Sequence, residues 1–315
     1  MDSNVMKHLV LGFGLALVVH HAEAGLIVTP NQTANVLVST LLSGSSGITF
    51  SGEAVVGDFT GVQNGTFSGG NSAGLGFDSG IVLSSGKVSD LPLASKGAAF
   101  GASSNLGQLG DAKLSAVVAP QQTFDASVLK FDFVPNGNKV EFNYVFGSTE
   151  YNNFVNSAFN DVFAFFVNDV NRALIPGTST PVTINNVNCG GPVNGPTSLG
   201  SPGANPHNCN KFINNRNADA SVGANELINL GGMTQVFSLV ADVNANVTNT
   251  LYIAIADTSD GILDSAVFLA GSSFSTCGGP GQPQCPPNGV PEPATLALLG
   301  VALAGMGLAR RRKLK

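Results

Sequence analysis

The chain has 315 residues, of which 43% are apolar and 11% charged, with 39 Gly, 16 Pro, 20 Phe, four Cys and no Trp. A charged fraction less than half the ~25% typical of soluble domains excludes a coiled coil, a charged-tail protein and ordinary disorder, while abundant Gly and Pro without a Gly-X-Y period point to many turns between short strands. Net charge is −6, yet five of the 14 basic residues (Arg310, Arg311, Arg312, Lys313, Lys315) stand in the last six positions, an asymmetry that reads as an address.

At the start of the chain, Lys7 and His8 precede an apolar run from Leu9 to Val19 and then Ala22-Glu23-Ala24. A charged n-region, an h-region and an A-x-A site predict a secretory signal peptide over residues 1–24, with signal peptidase as the first partner. Eleven apolar residues fall short of the ~20 that a membrane-spanning helix needs. Without the two ends, residues 25–290 hold eight basic and 17 acidic residues, a net charge of −9. A surface of that sign argues against nucleic acid as a partner.

Next, Asn31 to Leu42 places Val36, Leu37 and Leu41 at helical spacing, with Gly44 beyond as a stop, which predicts a short amphipathic helix. From Ile48 onward, β-prone runs alternate with Gly, Ser, Asn and Asp: Ile48–Val56, Gly80–Ser84, Val128–Val134, Val140–Phe146, Val162–Val167, Val182–Val187, Val236–Val243, Leu251–Ala256 and Ala266–Leu269. Leu129, Phe131 and Phe133 share one face, as do Val140, Phe142, Tyr144 and Phe146, and the intervening Pro135-Asn136-Gly137-Asn138-Lys139 predicts a hairpin. Val162 to Val167 is apolar on both faces, as a strand inside a sandwich is. No internal repeat or interior linker is visible, and residues 25–275 are predicted to form one all-β domain, a jelly-roll-like β-sandwich with a short N-terminal helix and long surface loops.

The stretch Cys189 to Asn217 is rich in Gly, Pro and Asn and reads as a long surface loop. Cys189 and Cys209 bracket most of it, while Cys277 and Cys285 close a Gly/Pro/Gln-rich spacer over residues 276–290. An even cysteine count in an exported chain suggests disulfides; four cysteines allow three connectivities, and Cys189–Cys209 with Cys277–Cys285 is favoured. Zinc is the alternative, with only His207 nearby and no C-x-x-C to support it.

The chain closes with Pro291-Glu292-Pro293, an apolar segment from Ala294 to Ala309 and the cluster Arg310-Arg311-Arg312-Lys313. Sixteen residues at 1.5 Å each reach only ~24 Å, and the basic cluster stays on the cytoplasmic side, so a tail that pauses translocation with transient inner-membrane association is expected. In these residues the chain resembles the PEP-CTERM sorting signal. The resemblance implies recognition by an exosortase and export to the surface or extracellular matrix of a Gram-negative bacterium.

For catalysis the inventory is thin. His8, His20 and His21 fall in the signal peptide, leaving His207, and the chain has no G-x-S-x-G, no P-loop and no H-E-x-x-H; Gly74-Leu75-Gly76 is an isolated G-x-G suited to a turn. A carboxylate pair remains able to hydrolyse a glycoside, but without Trp only Tyr144, Tyr151 and Tyr252 offer phenolic rings for a sugar face. Acids gather in two places: Glu150 and Asp161, then Asp257, Asp260 and Asp264, each at a strand end beside Gly or Asn. Carboxylates on such loops suit Ca2+; they equally suit Asx-turns that cap the loops. Tyr151 and Phe154 read as core or rim packing.

Phe142 to Tyr151, Phe159 to Phe166, Ile175 to Asn185, Ile253 to Asp257 and Asp264 to Leu269, with Leu41 to Thr49 and Asp78 to Ser84, resemble the choice-of-anchor L domain over almost all of residues 31–274. Where that family carries two adjacent acids before the tyrosine, this chain has Thr149-Glu150. The resemblance implies a bacterial surface domain attached by interchangeable C-terminal anchors. The expected function is a non-enzymatic, structural or adhesive surface or matrix protein, Ca2+-stabilised through Glu150, Asp161, Asp257, Asp260 and Asp264, with extracellular polysaccharide or other matrix proteins as partners. The alternative is a carboxylate-based glycoside hydrolase or glycan-binding module acting on exopolysaccharide.

Overall fold

A computed structural model describes residues 25–42, 46–58, 60–93, 101–191, 197–215, 227–278 and 284–285. The expected signal peptide (1–24) and the expected sorting signal (291–315), with Pro291, Glu292, Pro293, Arg310, Arg311 and Arg312, lie outside them. Strand β1 (Ile27–Pro30) ends in a proline, which suits an edge position because its nitrogen has no hydrogen to donate. Helix α1 (Ala34–Leu41) starts at Thr33, whose Oγ1 accepts Val36 N at 3.3 Å, and buries Leu37, Val38 and Leu41. Then come β2 (Ile48–Val56), β3 (Asn64–Ser68), β4 (Gly80–Ser84) and α2 (Ala112–Val117), capped by Asp111 on Leu114 N. The remaining strands are β5 (Thr123–Pro135), β6 (Lys139–Ser148), β7 (Val162–Val167), β8 (Val170–Asn171), β9 (Phe212–Asn214), β10 (Gly232–Thr234), β11 (Phe237–Asp242), β12 (Asn249–Thr258), β13 (Ser265–Ala270) and β14 (Ser275–Cys277).

Two antiparallel sheets result. The larger runs β1-β3-β4-β13-β6-β10-β9, with β11 and β14 also paired to the long β6; the smaller runs β2-β5-β12-β7-β8. The chain is therefore an all-β sandwich. Between the sheets, Phe142 of β6 meets Phe165 of β7 with ring centroids 4.1 Å apart, and Phe274 packs edge-on against Phe131 and Phe133 of β5. Such ring pairs each add about 0.5–1.5 kcal/mol beyond the area they bury.

The predicted hairpin around Pro135–Lys139 is not formed. β5 pairs β2 and β12, whereas β6 pairs β13, β14, β10 and β11, so the connection is an arch from one sheet to the other. The two apolar faces oppose each other through the core. Periodicity identifies a strand's apolar face but does not choose its neighbour.

The expected strand Val182–Val187 is instead a 3-10 turn at Ile184–Asn186 that keeps Val182, Ile184 and Val187 in the core. Its asparagines divert the backbone: Asn185 donates to Ser157 O, Asn186 to Pro181 O and Asn188 to Ile184 O. β7 is buried on both sides, Phe163 and Phe165 toward the other sheet, Ala164 and Phe166 toward Leu114 and Val118 at α2.

Both disulfides, Cys189–Cys209 and Cys277–Cys285, are formed. The first closes a loop that ends in β9, a strand the loop reading had not included. The second ties Cys285 to the sheet, because Thr276 and Cys277 pair with Val140 and Lys139, so the spacer begins inside the fold. Among the described residues no helix is long and apolar enough to cross a membrane; Ala294 to Ala309 lies outside them.

Candidate functional site: a buried acidic junction

Two connections cross from sheet to sheet at one end of the sandwich. Residues 149–161 lead from β6 in the larger sheet to β7 in the smaller, and residues 259–264 lead from β12 in the smaller to β13 in the larger. Thr149 N donates to Asp264 O at 3.1 Å, which ties the two crossings together. The first carries Glu150 and Asp161; Asp257 stands on β12, and the second carries Asp260 and Asp264. All five acids singled out in the sequence therefore meet in one region.

Their environments differ. Asp161 is buried and accepts from Thr258 N (2.9 Å) and Ser265 Oγ (2.7 Å). Asp264 is buried and accepts from Ser104 N (2.7 Å) and Ser104 Oγ (3.0 Å). Half-buried Asp260 turns onto Ile262 N at 3.3 Å, an Asx-type contact. Asp257 is fully buried, and neither of its oxygens takes a well-formed hydrogen bond, although the Ser85 hydroxyl lies close enough to favour its charged form. Glu150 is also buried, with Oε2 unpartnered.

Burial raises four of these carboxyls, Glu150, Asp161, Asp257 and Asp264. Asp257 is pushed well above the ordinary range by burial first and then by Asp161, with Asp264 and Asp125 adding to it. Burial, reinforced by Asp161 and Asp260, lifts Glu150 to about 9. Asp161 rises to about 7, burial outweighing the bonds from Ser265 and Thr258, with Asp260 and Asp264 pushing further. Asp264 is raised by burial despite its two bonds from Ser104. Repelling carboxylates withdrawn from water must share protons or hold a cation.

Among the described residues no three His, Cys, Asp or Glu side chains converge where an ion would sit; any cation here needs neutral oxygens as well. Several are present that the sequence reading missed. Gln63 is fully buried, its Nε2 donating to Ser84 O (3.2 Å), Ser85 O (2.9 Å) and Asp125 O (2.7 Å) while Oε1 has no partner. Thr258 Oγ1 is likewise buried and unpartnered. Asp125, also buried, accepts from Leu106 N and Gln108 N. Neither carries a signal in the sequence: Gln63 stands beside Asn64 away from every β-prone run, and Asp125 lies three residues before Val128 in a stretch with Gln121, Gln122, Thr123 and Ser127.

The remaining candidates lie apart from this chemistry. His207 is exposed on the disulfide-bracketed loop, its backbone paired with Asn188. Tyr151 is a core residue packed on Phe212 at 4.8 Å, and Phe154 is a rim residue edge-on to Phe159. Gly74 and Gly76 occupy a turn, both at positive φ.

Fold and site together define a disulfide-stapled all-β sandwich domain in which Glu150, Asp161, Asp257 and Asp264 are buried. Residues 27–275 match the choice-of-anchor L domain, and the chain belongs to that family. Residues 289–313 match the PEP-CTERM protein-sorting motif. No curated protein and no solved structure gives a match. The sorting motif makes this an exported protein recognised and processed by an exosortase, and the domain is that of a cell-surface protein.

Proposed function

We propose that the protein is a non-catalytic structural and adhesive component of the cell surface or extracellular matrix, delivered through exosortase processing of a transiently membrane-held tail. The observation that supports this is the burial of the carboxylates. Asp161, Asp257 and Asp264 are at most 1% exposed, whereas a glycosidase needs two carboxyl groups flanking a bond that substrate can bring to them. With its chemistry turned inward, the domain offers its outer faces and loops for contact. The test compares cells lacking the protein with cells in which it is restored, scoring matrix retention and adhesion. Lost and restored adhesion, with no reducing sugar released from the matrix polysaccharide, supports the reading; sugar release by the purified protein refutes it.

A glycan-binding module is the second reading, favoured by one open groove. About 410 Å³ in volume, it lies on the smaller sheet and is lined by Lys113, Lys130, Asp132, Asp169, Thr250 and Tyr252 among others. Lys113 Nζ sits 4.6 Å above the Tyr252 ring, and Tyr252 Oη donates to Asp111, so a ring and several charged donors and acceptors face one surface. Binding on a glycan array that Tyr252→Ala abolishes is the expected result for this reading.

A further inference from the structure

Asp257 has acidic neighbours and no well-formed donor. Its carboxylate is fully buried, neither oxygen takes a well-formed hydrogen bond, and the charges acting on it are three further carboxylates, Asp161, Asp264 and Asp125. The nearby Ser85 hydroxyl accepts Ser265 N at 2.8 Å and directs its own hydrogen to Ser265 O at 3.4 Å. A buried anion so placed is costly unless something positive joins it. Asp161, Asp264 and Asp125 each have well-formed donors of their own; Asp257 has only the approach of the Ser85 hydroxyl.

Gln63 is a second observation, independent of the acids. Three backbone carbonyls face its Nε2, and since only the NH2 end of an amide donates, the orientation of the side chain is set. Oε1 is consequently an acceptor without a donor, buried with the rest of the residue. Ser85 and Asp125 adjoin both Gln63 and Asp257, so the orphan amide oxygen and the orphan carboxylate belong to one neighbourhood. Thr258 Oγ1, on the residue after Asp257, adds another unpartnered oxygen.

Unpartnered oxygens of both kinds, anionic and neutral, form the donor set of a hard cation. Ca2+ takes six to eight oxygens in flexible geometry and accepts amide and backbone carbonyls beside carboxylates, whereas Mg2+ demands a near-ideal octahedron. We propose that this junction binds one Ca2+ ion, with Asp257 as its anionic anchor, Gln63 Oε1 as a neutral ligand and Asp161 as the second charge that balances the ion. The ion fastens Gln63, which enters β3 of the larger sheet, to Asp257 and Asp161 on β12 and at the entry to β7 of the smaller. It is thus a clamp between the two sheets.

The test uses the full-length chain, stripped with EDTA and titrated with CaCl2 by calorimetry, with bound metal and thermal melting followed in parallel. One Ca2+ per chain is expected, with a rise in melting midpoint on the order of 5–10 °C at a hundredfold excess over Kd and a smaller rise with MgCl2. Asp257→Asn and Asp161→Asn, both close in shape to the parent, should bind at least tenfold more weakly while circular dichroism still reports β structure. Asp242→Asn, at the exposed pair with Lys139, should bind like the parent. If stripped and Ca2+-supplied parent protein melt together and hold no metal, the proposal is overturned; Ca2+ bound by Asp257→Asn as tightly as by the parent overturns it equally. Should a variant fail to fold, the metal content of the parent decides.

Discussion

Asp161 accepts a 2.7 Å hydrogen bond from Ser265 Oγ across 104 residues of chain. The same carboxylate takes Thr258 N, so one side chain at the entry to β7 holds both ends of the β12–β13 crossing. Asp161→Ala leaves a backbone N–H and a hydroxyl buried without acceptors, each costing about 1–3 kcal/mol, partly offset by relief of a carboxyl that burial and its neighbours already disfavour. A net loss of about 2–4 kcal/mol is expected in urea unfolding, and less than half of that for Asp161→Asn.

The pH dependence of the chelated protein follows from the same carboxyls. Asp161 at about 7 and Glu150 at about 9 are raised above the ordinary carboxyl range. An acid whose folded pKa is raised contributes its stability fully below its unfolded value, near 4, and loses it as pH rises through the folded one. In EDTA the urea midpoint should therefore fall between about pH 5 and pH 9. Glu150→Gln should flatten the upper part of that fall, and a midpoint that rises over this interval would count against the buried junction.

The two disulfides should contribute unequally. Cys189–Cys209 closes a separation of 20 residues and Cys277–Cys285 one of eight. Loop-closure entropy gives about 3 kcal/mol for the first and about 2.5 kcal/mol for the second. Replacing each pair by alanine and comparing unfolding free energies checks the order, and losing the second pair should also release position 285 from β14.

Much of the fold was legible because its central strands are strongly apolar. Gly80–Ser84 and Val162–Val167 coincide with β4 and β7, every residue of which is buried, so an apolar run shows in the residues themselves; Ile48–Val56 coincides with β2, an edge strand with no buried residue. Pairing left no such trace: Phe131 and Phe142 show which way they face but not that they lie in opposite sheets. β9, β10 and β14 have three residues each, too few for a period to register. The acids of the junction stood out as charges at strand ends. Gln63 did not, because its part depends on three carbonyls, at Ser84, Ser85 and Asp125, that only the folded chain assembles.

Gly86 is expected to tolerate no side chain. A Cβ there would lie 1.8 Å from Asp264 Oδ2, so Gly86→Ala must push that carboxylate off Ser104. Overpacking of this kind costs about 1–3 kcal/mol. The loss should be largely relieved by Asp264→Ala in the same chain, since the double variant removes the clash; additive losses in a double-mutant cycle would contradict the packing described.

Export through the sorting motif carries the functional account, and fractionation with intact-mass measurement tests it most directly. Cells carrying the parent chain are compared with cells in which Pro291, Glu292 and Pro293 are all replaced by alanine. The account predicts parent protein at the surface or in the matrix with a mass lacking the C-terminal segment, and variant protein that keeps its tail and stays with the inner membrane. Equal masses and equal locations for the two would contradict it.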